Sequence, residues 1–413
     1  MQRLAHSDVL FLLVQLGLML FFARTFGELA KRLKQPPVVG EILGGILLGP
    51  SVFALVLPDW YSQLFLVHPN ASIAMDGIFN ISLIMLLFIS GMEIELPLIW
   101  RNGRSALYIS FIGLIIPLII GIGIGWYGNE TIFHGLRESR LAFSLFLGTA
   151  LSITALPVIA KILLDLNLLN SKIGSLIIAC AMMNDFVGWI LFAIVLNLMP
   201  GVKPASGAME VWQTVLLTIA FAVITLTIIK FAIDKGLSVL NQKFTGPGSN
   251  MTIAMMMCFA GAIFTEYIGI HAIFGAFLMG IAFGESTHFS ERSKEIIHQF
   301  VSNIFAPLFF VSIGLKVNFV KSFDLEIILI VLVIAFITKI IGGYIGGRAG
   351  KLSHRESMAI GFGINARGAM EIILATVALQ AGLIGEPIFV ALTVMAILTS
   401  VTSGHFIKLF IKS

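Results

Sequence analysis

The sequence predicts an all-α integral membrane protein, and its composition, its recurring apolar runs and the placement of its basic residues indicate this class. Of the 413 residues, 58% are hydrophobic and only 12% are charged. The mean hydropathy of +1.00 lies far above that of soluble domains. Apolar runs of membrane-spanning length recur along the whole chain. We therefore expect residues 1–413 to form a single transmembrane domain, with no soluble domain.

Thirteen transmembrane helices account for these runs. Helices 2 and 9 are rich in glycine, and helix 9 is short. The predicted spans lie near 8–30, 37–57, 72–92, 105–127, 140–165, 172–199, 209–233, 249–268, 270–284, 295–315, 325–347, 355–383 and 386–410.

Lysine and arginine are concentrated in alternate connectors between the predicted helices. Connectors with an excess of these residues face the cytoplasm. The bias predicts an outside N-terminus and a cytoplasmic C-terminus, as an odd number of helices requires, in a multi-pass protein of the cell membrane. The net charge of +4 is modest, and no basic stretch is interleaved with aromatic residues, so we expect no nucleic-acid partner.

Two short patterns recur in the two halves of the chain. Residues 44–49 in helix 2 resemble residues 275–280 in helix 9, and residues 91–94 at the end of helix 3 resemble residues 314–317 at the end of helix 10. Helices 2 and 3 therefore correspond to helices 9 and 10.

This correspondence divides the chain into two six-helix repeats, at about 8–199 and 249–410, which helix 7 joins at about 209–233. Because a single helix joins them, the second repeat enters the membrane from the opposite side. The repeats are therefore expected to be inverted. Many secondary transporters have this arrangement and hold their substrate near the midplane with broken helices.

Asn184 and Asp185 lie near the middle of helix 6, with apolar residues on both sides. An ionisable side chain in mid-membrane is costly, and such residues usually mark ion paths or proton relays. A carboxylate binds a hard monovalent cation or a proton, but not both, so Asp185 would couple the two fluxes by competition. Asn184 would add a carbonyl ligand or orient a neighbouring helix. The alternative is a structural carboxylate that pairs with another helix.

The centre of helix 5 contains Ser152, Thr154 and Pro157. Pro157 removes a backbone donor and frees carbonyls one turn earlier, and the hydroxyls of Ser152 and Thr154 lie beside them. A stretch that is broken in this way supplies oxygen ligands for a dehydrated monovalent cation at Asp185. The alternative is an ordinary proline kink with hydroxyls bonded back to the helix.

Helix 12, the repeat partner of helix 5, has three glycines within residues 361–368, which predict a break at a similar depth. Arg367 and Glu371 lie four residues apart, on one face of the helix. If helices 5 and 12 break and cross, half-helix ends of opposite dipole meet and buried charges compensate them. We therefore assign Arg367, Glu371, Asn365 and Pro157 to the support of this crossing rather than to cation binding.

Lys339 lies in the inner half of helix 11, among apolar residues. A lysine at this depth needs an anion, and Asp185 is the nearest one in predicted depth. We expect a charge pair between Lys339 and Asp185 that a bound cation breaks. The alternative is a snorkelling or purely structural lysine.

Together these motifs resemble the monovalent cation/proton antiporter superfamily, in the branch with plant cation/hydrogen exchangers and bacterial sodium/proton and potassium/proton antiporters. The resemblance covers nearly the whole chain. The residues that carry it are 154–157 with Asn184-Asp185, then 269–277, then 365–368 with Glu371.

The resemblance implies exchange of Na⁺, K⁺ or both for H⁺ by elevator-like alternating access, a transport process rather than an enzymatic reaction, with no cofactor. It implies a core of helices 4–6 and 11–13 and a homodimer that forms through the outer helices. Asp185 matches the ion-binding aspartate of the family, and Lys339 matches its core lysine. The expected partners are the lipid bilayer, monovalent cations and protons.

Two departures from the family pattern leave the charge stoichiometry open. Many electrogenic members have two adjacent aspartates where this chain has Asn184-Asp185, and many electroneutral members have arginine where this chain has Lys339. The main alternative function is a sodium-coupled symporter of a small organic solute. A channel would need a repeated carbonyl filter and a membrane enzyme a catalytic motif, and the sequence shows neither.

Overall fold

The structure is a computed structural model. It describes residues 5–33, 35–94, 103–128, 130–133, 140–166, 168–169, 171–198, 211–243, 247–268 and 271–411. Both ends of the chain, residues 269 and 270, the predicted end of helix 6 at 199 and the predicted start of helix 7 at 209 lie outside these residues. Within them, all regular secondary structure is helical.

The described residues form nineteen α-helices along the chain. They are α1 (His6–Arg32), α2 (Pro37–Leu48), α3 (Phe53–Val56), α4 (Pro58–Tyr61), α5 (Pro69–Met92), α6 (Gly103–Gly128), α7 (Arg140–Ser152), α8 (Leu156–Asp165), α9 (Lys172–Asn197), α10 (Val211–Ile224), α11 (Lys230–Lys243), α12 (Pro247–Tyr267), α13 (Ala272–Gly284), α14 (Glu291–Phe300), α15 (Ala306–Lys316), α16 (Leu325–Ala349), α17 (His354–Gly363), α18 (Ala369–Gln380) and α19 (Glu386–Ile411). Turns of π-helix, Thr225–Ile229 and Val301–Phe305, connect α10 to α11 and α14 to α15.

The described residues contain 10 helical segments that are long and apolar enough to cross a membrane. Three shorter apolar helices accompany them, at Arg140–Ser152, Ala272–Gly284 and Met370–Gln380. The prediction of an all-helical, multi-pass membrane protein is therefore confirmed.

Two of the predicted spans are interrupted where the sequence indicated. A third, helix 2, is interrupted as well, because residues 49–52 separate α2 from α3. Helix 5 is divided into α7 and α8 by the non-helical residues 153–155, and helix 12 into α17 and α18 by residues 364–368. Pro157 is the second residue of α8, where a helix needs no backbone N–H donor. The proline therefore starts a new half-helix instead of kinking a continuous one.

Other boundaries differ from the prediction. Helix 7 continues past the expected end at 233, through α11 to Lys243, and helix 10 begins at Glu291 rather than at 295. At this second boundary the side chain of Ser290 accepts a hydrogen bond from the Ser293 N–H and caps α14. Hydropathy misses such ends, because polar first and last turns lower the apolar average although their backbone is helical.

The chain forms two compact units. Unit 1 consists of Met1–Glu93, Ile224–Phe264 and Gly275–Phe323. Unit 2 consists of Ile94–Val223, Thr265–Phe274 and Asp324–Ser413. Helices 5 and 12, and all the residues that the sequence assigns to the ion site, belong to unit 2.

Glycines in unit 1 bring helices together backbone to backbone. A Cβ atom added at Gly314 of α15 would overlap the backbone of Gly45 and Ile46 in α2. One added at Gly91 of α5 would overlap the carbonyl O of Phe277 in α13. Small residues permit this close approach, which is a main source of helix association in a membrane.

We expect Gly314→Ala to destabilise the protein, because its methyl group has no room unless α2 and α15 separate. Gly77→Ala in α5 is the matched control, since a Cβ there meets no atom within 4 Å and alanine is favoured over glycine in a helix by about 1 kcal/mol. The thermal unfolding midpoint of the purified protein measures both effects. A Gly314→Ala midpoint equal to that of Gly77→Ala would contradict close packing of α2 against α15.

Unit 2 has corresponding glycine contacts. A Cβ at Gly121 of α6 would overlap Gly148 of α7, and a Cβ at Gly343 of α16 would overlap Gly361 of α17. Around these contacts, buried apolar side chains of α8, α9 and α17 form a common core. The half-helices that flank the two breaks are therefore held at fixed positions within the unit.

Candidate functional site

The two interruptions in unit 2 touch each other. The backbone N–H of Ala155 donates to the carbonyl O of Ala366 at 2.9 Å, and the hydroxyl of Thr154 donates to the carbonyl O of Ile364 at 2.7 Å. Lipid offers no hydrogen-bond partners, so backbone groups that a break frees in mid-membrane must be satisfied by the protein. Here each break supplies partners to the other, in agreement with the predicted meeting of helices 5 and 12.

Asp185 extends from α9 and is 2% exposed. Its Oδ2 atom accepts the backbone N–H of Leu156, the first residue of α8, at 3.3 Å. The N-terminus of a helix carries a partial positive charge and free N–H groups, and both favour an anion. The break in helix 5 therefore creates a position where the carboxylate of Asp185 is stabilised in the buried interior of unit 2.

Asn184 and Thr154 are both fully buried. The Nδ2 atom of Asn184 donates to the hydroxyl oxygen of Thr154 at 3.2 Å. This bond directs the amino end of the Asn184 amide to Thr154. No described residue donates a hydrogen bond to the other end of the amide, the Oδ1 atom. A buried oxygen without a donor is an available ligand for a cation. The structure thus brings together three of the four residues that the sequence assigned to cation binding.

Ser152, the fourth residue, is placed differently. Its hydroxyl donates to the carbonyl O of Thr149 at 2.8 Å, within α7, which is a common arrangement of serine in a helix. The backbone carbonyl of Ser152 instead accepts a hydrogen bond from Nζ of Lys339. A ligand role for the hydroxyl stays a prediction.

Lys339 extends from α16 and is fully buried. Its contact with Ser152 places an ammonium group at the last residue of α7, where the carbonyls lack partners within the helix and the dipole is negative. Lys339 and Asp185 therefore lie on the two sides of one break. The lysine side chain is at the C-terminus of α7, and the aspartate side chain is at the N-terminus of α8. A direct ion pair between Lys339 and Asp185 stays a prediction.

Arg367 lies in the break of helix 12, two residues before α18 begins. It is fully buried and donates from Nη1 to the carbonyl O of Ala150 at 2.7 Å and from Nη2 to that of Leu151. Nη1 also forms an ion pair with Oε1 of Glu371, in the first turn of α18. The two residues do not share a helical face as expected, because Arg367 lies in the non-helical segment before α18, but the ion pair forms.

Ser400 is a residue that the sequence did not single out. Its hydroxyl in α19 contacts the carbonyl O of Arg367 and is 6% exposed. This contact fixes the backbone of Arg367 in the non-helical segment between α17 and α18. The only signal in the sequence is a cluster of small polar residues at 399–403 in an otherwise apolar helix.

The charges follow a simple rule at these half-helices. Lys339 and Arg367 bind the last three carbonyls of α7. The two carboxylates instead lie at the starts of helices, Asp185 at that of α8 and Glu371 at that of α18. Each charge opposes the dipole of the half-helix end that it meets. The two carboxylates differ in their partners, because Glu371 pairs with Arg367 whereas Asp185 accepts a backbone N–H and adjoins the amide of Asn184.

We expect Arg367→Ala to destabilise the protein by about 3–5 kcal/mol, because it leaves the carboxylate of Glu371 buried without its partner. Arg24→Ala is the matched control. Arg24 and Glu28 have the same spacing, but their side chains are 67% and 43% exposed, and such pairs contribute little. Thermal unfolding of the two purified variants would show a large loss only for Arg367→Ala. Similar losses in both would contradict the role of the buried pair.

An all-helical membrane unit in which two interrupted helices meet beside a buried carboxylate defines a class of secondary transporter. The family description "Sodium/hydrogen exchanger, transmembrane" matches residues 17–412 of this chain. The chain belongs to this family.

Individual relatives agree with this assignment. The Na(+)/H(+) antiporter NhaS4 of Synechocystis sp. is 30% identical, over 98% of this chain and 98% of its own length. Cation/H(+) antiporter 17 of Arabidopsis thaliana is 32% identical over 94% of this chain but 47% of its own length, so the chain spans about half of that relative. The solved structure of the sodium proton antiporter MjNhaP1 from Methanocaldococcus jannaschii at pH 8 shares the fold, with a TM-score of 0.69 at 17% identity and 98% coverage of both chains.

Proposed function

We propose that this protein is a secondary active antiporter that exchanges Na⁺, K⁺ or both for H⁺ by alternating access, with Asp185 as the group that binds either ion. The observation that carries the proposal is the position of Asp185 at the start of α8, next in the chain to Asn184, whose Oδ1 accepts no hydrogen bond from the residues that the structure describes. Membership of the sodium/hydrogen exchanger family and the names of the relatives support antiport over symport.

Competition at one carboxylate explains how the fluxes are coupled. A dehydrated cation needs oxygen ligands, and the ionised carboxylate of Asp185 with Oδ1 of Asn184 supplies them. A proton on Asp185 removes its charge and so displaces the cation. The site then changes its access from one side of the membrane to the other with one ion or the other bound. The empty, charged carboxylate is the state that is costly to move through apolar surroundings.

We further infer thirteen transmembrane helices in two inverted repeats, with Asp185 in helix 6. The ten long segments, the interrupted helices 5 and 12 and one short helix support this number. The glycine contacts support the repeats, because the contact of helix 2 with helix 10 through Gly314 corresponds to that of helix 9 with helix 3 through Gly91. The contacts of Gly121 and Gly343 relate helices 4 and 5 to helices 11 and 12 in the same way.

The remaining assignments follow from the resemblance and from the distribution of lysine and arginine. We propose a homodimer in the cell membrane, with the N-terminus outside and the C-terminus in the cytoplasm. Cysteine labelling with a membrane-impermeant reagent tests the orientation, and the mass of the purified protein in detergent tests the dimer.

Exchange in proteoliposomes tests the function. In vesicles that contain the purified protein and a trapped pH indicator, the interior is expected to become alkaline when Na⁺ or K⁺ is added outside, because each cation that enters drives protons out, and not when choline is added. Vesicles without protein are the control. Uptake of an organic anion that depends on Na⁺, without proton movement, would indicate the symporter instead.

A further inference from the structure

Asn365 lies in the break of helix 12 and is completely buried. Neither Oδ1 nor Nδ2 of its amide has a hydrogen-bond partner among the residues that the structure describes. A buried amide without partners costs free energy, so each such group in a native protein needs an explanation, usually an ordered water or an ion. Support of the crossing, the role that the sequence suggested, would instead require hydrogen bonds from this amide to the protein.

The position of Asn365 places it beside the candidate cation site. Its neighbours in the chain, Ile364 and Ala366, have carbonyls that accept hydrogen bonds from Thr154 and Ala155. The same hydroxyl of Thr154 accepts the amino group of Asn184 at 3.2 Å. The backbone of Asn365 is thus flanked on both sides by the hydrogen bonds that join the two breaks.

We propose that Oδ1 of Asn365 is a ligand of the transported monovalent cation and helps to set its selectivity. This inference rests on the proposed function. Amide oxygens are hard, neutral ligands that suit Na⁺ and K⁺, as backbone carbonyls do in ion filters. Asp185 and Asn184 lie on helix 6, and Asn365 lies in the break of helix 12. The cation would therefore be bound by side chains from both helices. The amino group of the amide would then be satisfied by a buried water.

The test compares Asn365→Leu, which keeps the shape and removes the oxygen, with Thr376→Val. Thr376 in α18 is a matched control, because it is buried and its hydroxyl donates only to the carbonyl O of Ile372, at 2.7 Å, in its own helix. Two readouts are measured for each: the KM for Na⁺ and for K⁺ in proteoliposomes, and the rise in melting temperature of the purified protein when either salt replaces choline.

We expect Asn365→Leu to raise the cation KM by roughly tenfold, as the loss of about 1.4 kcal/mol of binding free energy would, and to reduce the cation-dependent rise in melting temperature. Thr376→Val should match wild type in both readouts. If Asn365→Leu does not fold, Asn365→Ser, which keeps a shorter side-chain oxygen, should raise KM by a smaller factor and change the ratio of the KM values for Na⁺ and K⁺.

An unchanged KM in a folded Asn365 variant, with only a lower melting temperature in choline, would overturn the inference and leave Asn365 as a structural residue. Asp185→Asn separates this result from failure of the proposed function. If Asp185→Asn loses the cation-dependent stabilisation while Asn365→Leu keeps it in full, only the role of Asn365 is wrong. If Asp185→Asn keeps it, the proposed cation site itself is wrong.

Discussion

Asp185→Asn should abolish cation-driven proton movement in proteoliposomes, while the protein still folds and inserts. The substitution keeps the volume of the side chain and removes its charge. An amide neither binds a transported proton nor offers the negative charge that draws a dehydrated cation into mid-membrane. The N–H of Leu156, which donates to Oδ2 of Asp185, can still donate to the amide oxygen, so the local structure should survive.

The measurement is the initial rate of pH change in vesicles after a pulse of Na⁺ or K⁺, at matched protein content. Melting of purified Asp185→Asn in choline serves as the control for folding. An exchange rate above roughly one tenth of wild type, which is a loss of less than about 1.4 kcal/mol in transition-state free energy, would show that another group binds the ions.

Lys339→Gln should also cause a large loss, through the half-helices rather than through cation binding. The ammonium of Lys339 compensates the negative end of α7 at Ser152, and glutamine supplies a hydrogen bond there without a charge. We expect transport to fall by roughly tenfold or more and the melting temperature to fall with it. Lys339→Arg, which retains the charge, should keep more activity than Lys339→Gln.

Lys339→Gln also helps to determine whether net charge crosses the membrane in each transport cycle. One cation and one proton that compete for a single carboxylate give electroneutral exchange. Because Lys339 binds the carbonyl end of a helix, loss of its proton would leave that end uncompensated, and we expect Lys339 to stay charged throughout the cycle. Currents after a Na⁺ or K⁺ concentration jump on a supported membrane should be absent in wild type. Currents in wild type that disappear in Lys339→Gln, while its remaining cation-driven pH change is still measurable, would show that the lysine releases its proton.

Much of the site could be predicted from the sequence, because its signals are local. An aspartate in the middle of an apolar run is rare, and Asn184-Asp185 is visible without any structure. Pro157 in helix 5 and the glycines around Asn365 in helix 12 mark backbones that a continuous helix tolerates poorly. The meeting of the two breaks followed from the repeat, and the structure shows the hydrogen bond from Ala155 to Ala366 that joins them.

The parts that sequence reasoning missed depend on contacts between residues that are distant in the chain. The carbonyls of Ala150 and Leu151 are more than 200 positions from Arg367, which binds them. No local pattern specifies which orphan carbonyl a buried guanidinium reaches, or that the hydroxyl of Ser400 holds the carbonyl of Arg367. The sequence assigns the hydroxyl of Ser152 to the cation. The hydroxyl donates to the carbonyl O of Thr149 within its own helix, and its ligand role stays a prediction.

The dependence of the cation KM on pH tests the central claim, that a proton and a cation compete for Asp185, most directly. Initial exchange rates are measured in wild-type proteoliposomes over a range of Na⁺ or K⁺ concentrations, with the pH equal on both sides and stepped from acid to alkaline. Competition predicts that KM rises steadily as the pH falls, because a protonated carboxyl no longer ligates the cation, while the maximal rate declines at high pH as the proton-loaded return becomes scarce. A KM that stays constant across pH, with only the maximal rate changing, would show that the proton binds at a different group and would contradict competition at Asp185.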